Sequence, residues 1–203
     1  MHVAIHIANA RNNGQDRAAW FPHRGGQLIV VADGAGGTTG GTEAAQTVVD
    51  YVRDLADSDC DWTRVLSVLD VRLFGMAAVG ETTAVVAFVD RGTVVGASVG
   101  DSAAWIVSPA GCIDLTVQQR RKPLLGSGAA EPLPFGPAPV TGRLLLGTDG
   151  LFKYVPVERI KSLGLAGPLD VAAQRLADAA RLPSGRLQDD VAVVLAGSEP
   201  LVG

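Results

Sequence analysis

Acidic residues bound three apolar runs. Leu28 to Ala32 runs into Asp33, and Gly34, Ala35, Gly36 and Gly37 follow at once. Leu144 to Leu146 leads through Gly147 and Thr148 to Asp149 and Gly150. Asp189 and Asp190 open the last apolar run, Val191 to Leu195. Carboxylates gathered at one rim repel each other and lose hydration unless a cation neutralises them. Such a set points to hard divalent metals held by oxygen, which commonly act on phosphate. Taken singly, each acid has a plainer explanation. Asp-Gly is a common turn dipeptide, and Asp189 or Asp190 can cap a loop by accepting backbone N–H bonds. Three acids bounding three apolar runs are harder to explain as turns.

A strand, a glycine loop and a helix also make nucleotide sites. A Walker A loop needs Gly-Lys-Ser/Thr at the helix start, and no lysine is present here. Counting G-x-G-x-x-G from Gly34 puts Thr39 at the last position, so that pattern fails by one residue. Asp33 would also oppose a pyrophosphate. A metal between the two removes the conflict, and the Gly34 carbonyl can then serve as a ligand.

The elements that must carry these acids follow from periodicity. Strands are expected over Val3–Ala8, Asp16–Phe21 (paired with the first), Gln27–Ala32, Thr82–Val89, Thr93–Ser98, Ala103–Val107, Leu144–Thr148 and Val191–Ala196. Asp90-Arg91-Gly92 and Gly100-Asp101-Ser102 are short enough to close hairpins. Helical spacing marks Thr42–Leu55, Trp62–Met76 and Val157–Leu163, and Pro168 suits the first turn of another helix reaching about Arg181. Residues 116–141 hold five of the eleven prolines and read as one short, flap-like loop. The segregation of strands and helices predicts an α+β fold of antiparallel sheets flanked by helices, in one domain spanning residues 1–203.

With 47% hydrophobic and 19% charged residues the chain can bury a large core. A net charge of -4 gives no general attraction to nucleic acid or anionic membrane, so neither is expected as a partner. Cys60 and Cys112 lack metal or redox spacing. The first residues do not read as a signal peptide and no run reaches membrane-spanning length, so the cytoplasm is the expected location; a monomer is the expected state. Trp20, Trp62 and Trp105 are expected as core anchors. Arg120-Arg121-Lys122 is the one basic cluster, read first as a solvated loop and second as a dock for an acidic or phosphorylated partner.

With Gly100-Asp101-Ser102 added, the motifs resemble those of the metal-dependent Ser/Thr protein phosphatases of type 2C, in a compact bacterial form. Arg11-Asn12-Asn13-Gly14-Gln15-Asp16 resembles the opening R-x-x-N-E-D, and Asp33-Gly34-Ala35-Gly36-Gly37 the first D-G-x-G-G. Glu81-Thr82-Thr83-Ala84 resembles G-x-T-A, and Val99-Gly100-Asp101-Ser102 resembles V-G-D-S-R. Gly147-Thr148-Asp149-Gly150-Leu151-Phe152 resembles S-D-G-L-W, and Asp189-Asp190-Val191-Ala192-Val193 the closing D-N/D-x-x-V.

The resemblance implies a four-layer α-β-β-α sandwich with a metal cleft at one end and two Mn²⁺ or Mg²⁺ ions sharing an activated water. It implies that Asp33 contacts both ions, the Gly34 carbonyl one, and Asp149 and Asp189 the other. Asp16 acts through the ions' waters, and Asp101 with Asp149 holds a weaker third ion. Arg11 grips the phosphate of a phosphoserine or phosphothreonine protein, the target of a Ser/Thr kinase whose signalling is reversed. Several positions depart from the pattern. Gln15 stands for Glu, Ala35 for a His proposed as general acid in many eukaryotic members, Ala103 for Arg, and Asp190 for a frequent Asn. Ala35 leaves protonation of the leaving oxygen to water. The departures also motivate an alternative reading, a weak or inactive phosphatase-like binding module in a regulatory complex. A third reading keeps the chemistry and directs it at a dedicated regulatory partner.

Overall fold

A computed structural model describes residues 1–23, 25–35, 40–56, 58 and 60–198. Gly36 and Gly37 of the glycine loop therefore lie outside the described residues. Among the described residues ten strands form two five-stranded antiparallel sheets. In the first sheet the order is β1 (His2–Ala8), β10 (Val191–Gly197), β9 (Arg143–Gly147), β6 (Ala103–Ser108) and β7 (Gly111–Asp114). In the second it is β2 (Asp16–His23), β3 (Gly26–Asp33), β4 (Ala84–Asp90), β5 (Thr93–Val99) and β8 (Leu133–Pro139).

The continuous apolar runs are strands buried on both faces. Along β3, Ile29 and Val31 point between the sheets, where they meet Val85, Ala104, Leu144, Leu146 and Val194. Leu28, Val30 and Ala32 point outward under α1 (Gly41–Asp54) and α2 (Trp62–Phe74), against Ala45, Val48, Val52, Leu66 and Leu69. On the opposite outer face, Leu145, Val191, Val193 and Leu195 pack under α4 (Val157–Gly164) and α5 (Leu169–Ala179), against Ile160, Ala173 and Leu176. A short helix, α3 (Asp149–Phe152), follows β9 directly. The four-layer α-β-β-α sandwich is thus present, with three stacked apolar layers.

Several pairings differ from the sequence expectation. β2 does not pair with β1. It pairs with β3, while β1 lies along β10, from His2 opposite Gly197 to Ala8 opposite Val191. Gly100-Asp101-Ser102 does not close a hairpin, because β5 and β6 belong to different sheets and the tripeptide carries the chain between them. Residues 116–141 are not one loop, since Leu133–Pro139 adds β8 to the edge of β5. Prolines are tolerated there because an edge strand leaves one side unpaired. Trp62 is buried as expected, and Trp105 lies beside Phe152 with ring centroids 4.6 Å apart, but Trp20 is exposed.

Candidate metal centre

The antiparallel pairings bring the scattered aspartates to one end of the sandwich. Asp16 opens β2 and Asp33 closes β3, and the strand register sets them directly opposite each other. Asp149 follows β9 and Asp189 precedes β10, which run side by side. Asp101 sits on the crossover between the sheets. Asp33, Gly34, Asp101, Asp149 and Asp189 line one cleft of about 1030 Å³, together with Arg11, and Asp16 lies buried against its floor. All seven residues expected at the site are therefore neighbours.

The other motif blocks hold Asp33 in place. Its N–H donates to Thr83 Oγ1 at 2.9 Å, and its carbonyl accepts from Thr82 Oγ1 at 2.8 Å and from the Thr83 N–H at 2.9 Å. Thr83 Oγ1 in turn lies 2.7 Å from Ser102 Oγ, which couples the Glu81–Ala84 block to the Gly100–Ser102 crossover. Gly34 is required by close packing: a Cβ would collide with the Gly41 carbonyl oxygen at the start of α1. Gly150 is required likewise, because a Cβ would strike the Asp190 carbonyl. Each Asp-Gly pair thus serves a close approach between segments.

The two adjacent acids near the C-terminal strand separate by role. Both Asp190 oxygens are engaged, accepting the Ala10 and Gln15 N–H groups at 2.7 Å each. Asp190 ties down the loop that presents Arg11. The exposed Asp189 contributes only a 3.1 Å bond from the adjacent N–H of Asp190, so its carboxylate remains available to the cleft. The motif assignment of Asp189 rather than Asp190 as the ligand agrees with this geometry.

Electrostatics at the rim are unfavourable as they stand. Burial, then the Asp16 and Asp149 charges, push the Asp33 carboxyl well above the usual range. Burial also pushes Asp16 up, opposed by the Thr148 hydrogen bond and reinforced by Asp190. Asp149 is raised by burial first and then by Asp101 and Asp189. One Asp16 oxygen, Oδ1, is buried with no hydrogen-bond partner, a costly state for a carboxylate.

Among the described residues no three His, Cys, Asp or Glu side chains converge into a ready-made metal cage. The arrangement instead fits hydrated hard ions, which bind one or two carboxylates and keep several waters. The donors are all oxygen, the repulsion is mutual, and the orphaned Asp16 oxygen sits beside Asp33. A divalent cation suits the donors and would relieve both the repulsion and the orphaned oxygen.

Sequence reasoning missed Arg121 and Lys122 as cleft residues. Arg121 Nε lies 2.7 Å from Asp101 Oδ2. The basic cluster was visible, but its position beside Asp101 depends on the path of the preceding loop. Asp70 was also missed. This buried α2 residue accepts the N–H groups of Gly126, Gly128 and Ala130 at 2.7, 3.1 and 3.0 Å. Three backbone donors on one carboxylate anchor the segment between Arg121 and β8.

Comparison with known proteins agrees with the motif resemblance. A family model described as Protein phosphatase 2C matches residues 5–67. No curated protein sequence matches the chain. The structure is similar to that of a bacterial serine phosphatase, with a TM-score of 0.83 and 20% identity over 98% of this chain and 100% of that one. It is similar to the serine/threonine phosphatase Stp1 of Staphylococcus aureus, at TM-score 0.81 and 20% identity, covering 98% and 95% of the two chains. It is also similar to the catalytic domain of the phosphatase PstP in complex with 2 manganese ions, at TM-score 0.76 and 20% identity over 98% of both chains. Residues 5–67 thus carry the sequence signature of Protein phosphatase 2C, and the chain has the fold of the bacterial serine/threonine phosphatases.

Proposed function

We propose that the chain is a protein-serine/threonine phosphatase that hydrolyses phosphoserine and phosphothreonine with divalent metal, Mn²⁺ or Mg²⁺. The carrying observation is the convergence of Asp33, Asp149 and Asp189 on one cleft, with Arg11 at its edge and Asp16 buried behind. The PstP domain bound to 2 manganese ions supports the choice of metal.

Asp33, the Gly34 carbonyl, Asp149 and Asp189 would hold two ions, with Asp16 behind them. The ions would supply an activated water and neutralise charge on the phosphoryl oxygens. Arg11 presents a planar fork that binds two phosphate oxygens at once and stabilises charge that spreads over them in the transition state. Asp190 positions Arg11 by fixing the backbone on both sides of it. Thr82 and Thr83 keep Asp33 from swinging away from the cleft. Among the described residues no histidine lines the cleft in place of the one absent at Ala35, and the serine or threonine leaving oxygen takes its proton from solvent in the open cleft.

The proposed setting is reversal of Ser/Thr kinase signalling in the cytoplasm by a monomer acting on phosphoproteins. No described helix is long and apolar enough to cross a membrane. The test is release of phosphate from phosphoserine and phosphothreonine peptides with Mn²⁺. Turnover is expected to stop with EDTA and with Asp33→Ala. Turnover that survives either change sinks the proposal, and partner binding without turnover favours the inactive binding module.

A further inference from the structure

Asp101 and Asp149 face the same cleft. The motif resemblance assigns this pair a weak third ion. The structure places a different cation there. Arg121 reaches Asp101 with its Nε 2.7 Å from Oδ2, the one ion pair made by a cleft carboxylate among the described residues.

The backbone that delivers Arg121 is held in place. Leu125 exchanges two backbone hydrogen bonds of 3.0 Å with Thr82, the residue that also bonds the Asp33 carbonyl. Asp70 clamps Gly126, Gly128 and Ala130 just beyond. On the other side, Gln119 accepts from Ser98 Oγ of β5 at 3.2 Å. Arg121 is thus carried on a segment pinned at Thr82, which bonds Asp33, and at β5, which leads to Asp101.

We propose that Arg121 is a resident cation that competes with a third divalent ion for Asp101 and so weakens that third site. The inference rests on the metal-binding reading of the cleft. Its physical basis is competition: a third ion has to displace Arg121 from Asp101. Removing the guanidinium leaves Asp101 and Asp149 facing each other without it, which favours capture of a cation. Arg121 is 72% exposed, so the pair is open to solvent and its loss shifts third-ion affinity by up to about five-fold.

The test is Mn²⁺ titration of the full chain by calorimetry, with bound ions counted by electron paramagnetic resonance. The unaltered protein is expected to bind two ions and a third only weakly. Arg121→Ala should tighten the third site, Arg121→Lys should keep it weak, and Asp101→Asn added to Arg121→Ala should abolish the gain. Three ions of comparable affinity in the unaltered protein overturn the proposal, as does an Arg121→Ala titration identical to it. Either result leaves the two-ion phosphatase reading intact. A protein that binds no Mn²⁺ at all overturns both.

Discussion

The Thr148 hydroxyl donates to Asp16 Oδ2 at 2.7 Å and accepts the Ala192 N–H at 2.9 Å, so one fully buried side chain joins the two sheets beneath the acidic cleft. Asp16 belongs to β2 of one sheet, whereas Thr148 and Ala192 belong to the β9–β10 side of the other. The bond orients Asp16 so that its second oxygen stays free beside Asp33. Thr148→Val keeps the shape and deletes the hydroxyl, leaving a buried acceptor and a buried N–H without their partner. A loss of about 1–3 kcal/mol in unfolding free energy is expected by urea titration, together with weaker Mn²⁺ binding. Thr148→Ser should retain most of both.

Stability without metal should depend on pH in an unusual direction. Burial and mutual repulsion raise Asp16 and Asp33, so the folded state holds protons that the unfolded state has released. Stability therefore falls as pH rises from about 4, the ordinary carboxylate value, upward through neutrality. In EDTA the protein should be more stable near pH 5.5 than near pH 8, by on the order of 2 kcal/mol. Asp33→Asn should flatten most of the slope, and saturating Mn²⁺ should reverse it because metal binding requires deprotonated ligands. A flat profile in EDTA contradicts the electrostatic account.

Asp189 and Asp190 should respond oppositely to neutralisation. Asp190→Ala strands the Ala10 and Gln15 N–H groups and releases the Arg11 loop, so a stability loss of about 1–3 kcal/mol is expected in EDTA. Asp189→Asn should leave that stability within about 0.5 kcal/mol and lower Mn²⁺ affinity instead. Paired denaturation and metal titrations distinguish the two.

Arg11→Ala should lower kcat/KM for a phosphopeptide by about 10- to 100-fold, the scale of a lost charge-assisted contact of about 1.5–3 kcal/mol. Arg11→Lys should recover only part, because an ammonium cannot bind two phosphate oxygens as a planar fork does. Mn²⁺ affinity should be unchanged in both variants, since no metal contact is assigned to Arg11.

Asp70→Asn should loosen the segment that follows Arg121. Its carboxylate serves three backbone donors, and an amide oxygen alone cannot serve all of them. Hydrogen exchange at Gly126, Gly128 and Ala130 should accelerate, while exchange in the β3–β4 core stays slow. Uniform acceleration across the chain would show global destabilisation in place of a local tether.

Much of the site was legible because its parts are local. An apolar run that ends in Asp-Gly marks a strand end with an acid on it, whatever lies opposite. Asp33 and Asp149 could be singled out on that basis and Asp189 as an acid opening the last apolar run, and the ordered motifs added Arg11, Asp16, Gly34 and Asp101. Continuous runs such as Leu28–Ala32 and Val191–Ala196 also announced strands buried on both faces, since half-buried strands alternate.

Tertiary structure decided what depends on distant partners. Strand periodicity does not say that β1 joins β10 rather than β2, because a pleated strand offers the same apolar faces to either neighbour. Adjacent acids look alike until a chain segment 180 residues away supplies the N–H that occupies Asp190. Neither the Arg121–Asp101 pair nor the Asp70 clamp has a local signal, since each joins a side chain to a loop whose course the sandwich imposes. The residue types and their order were settled by the sequence, and their company was settled by folding.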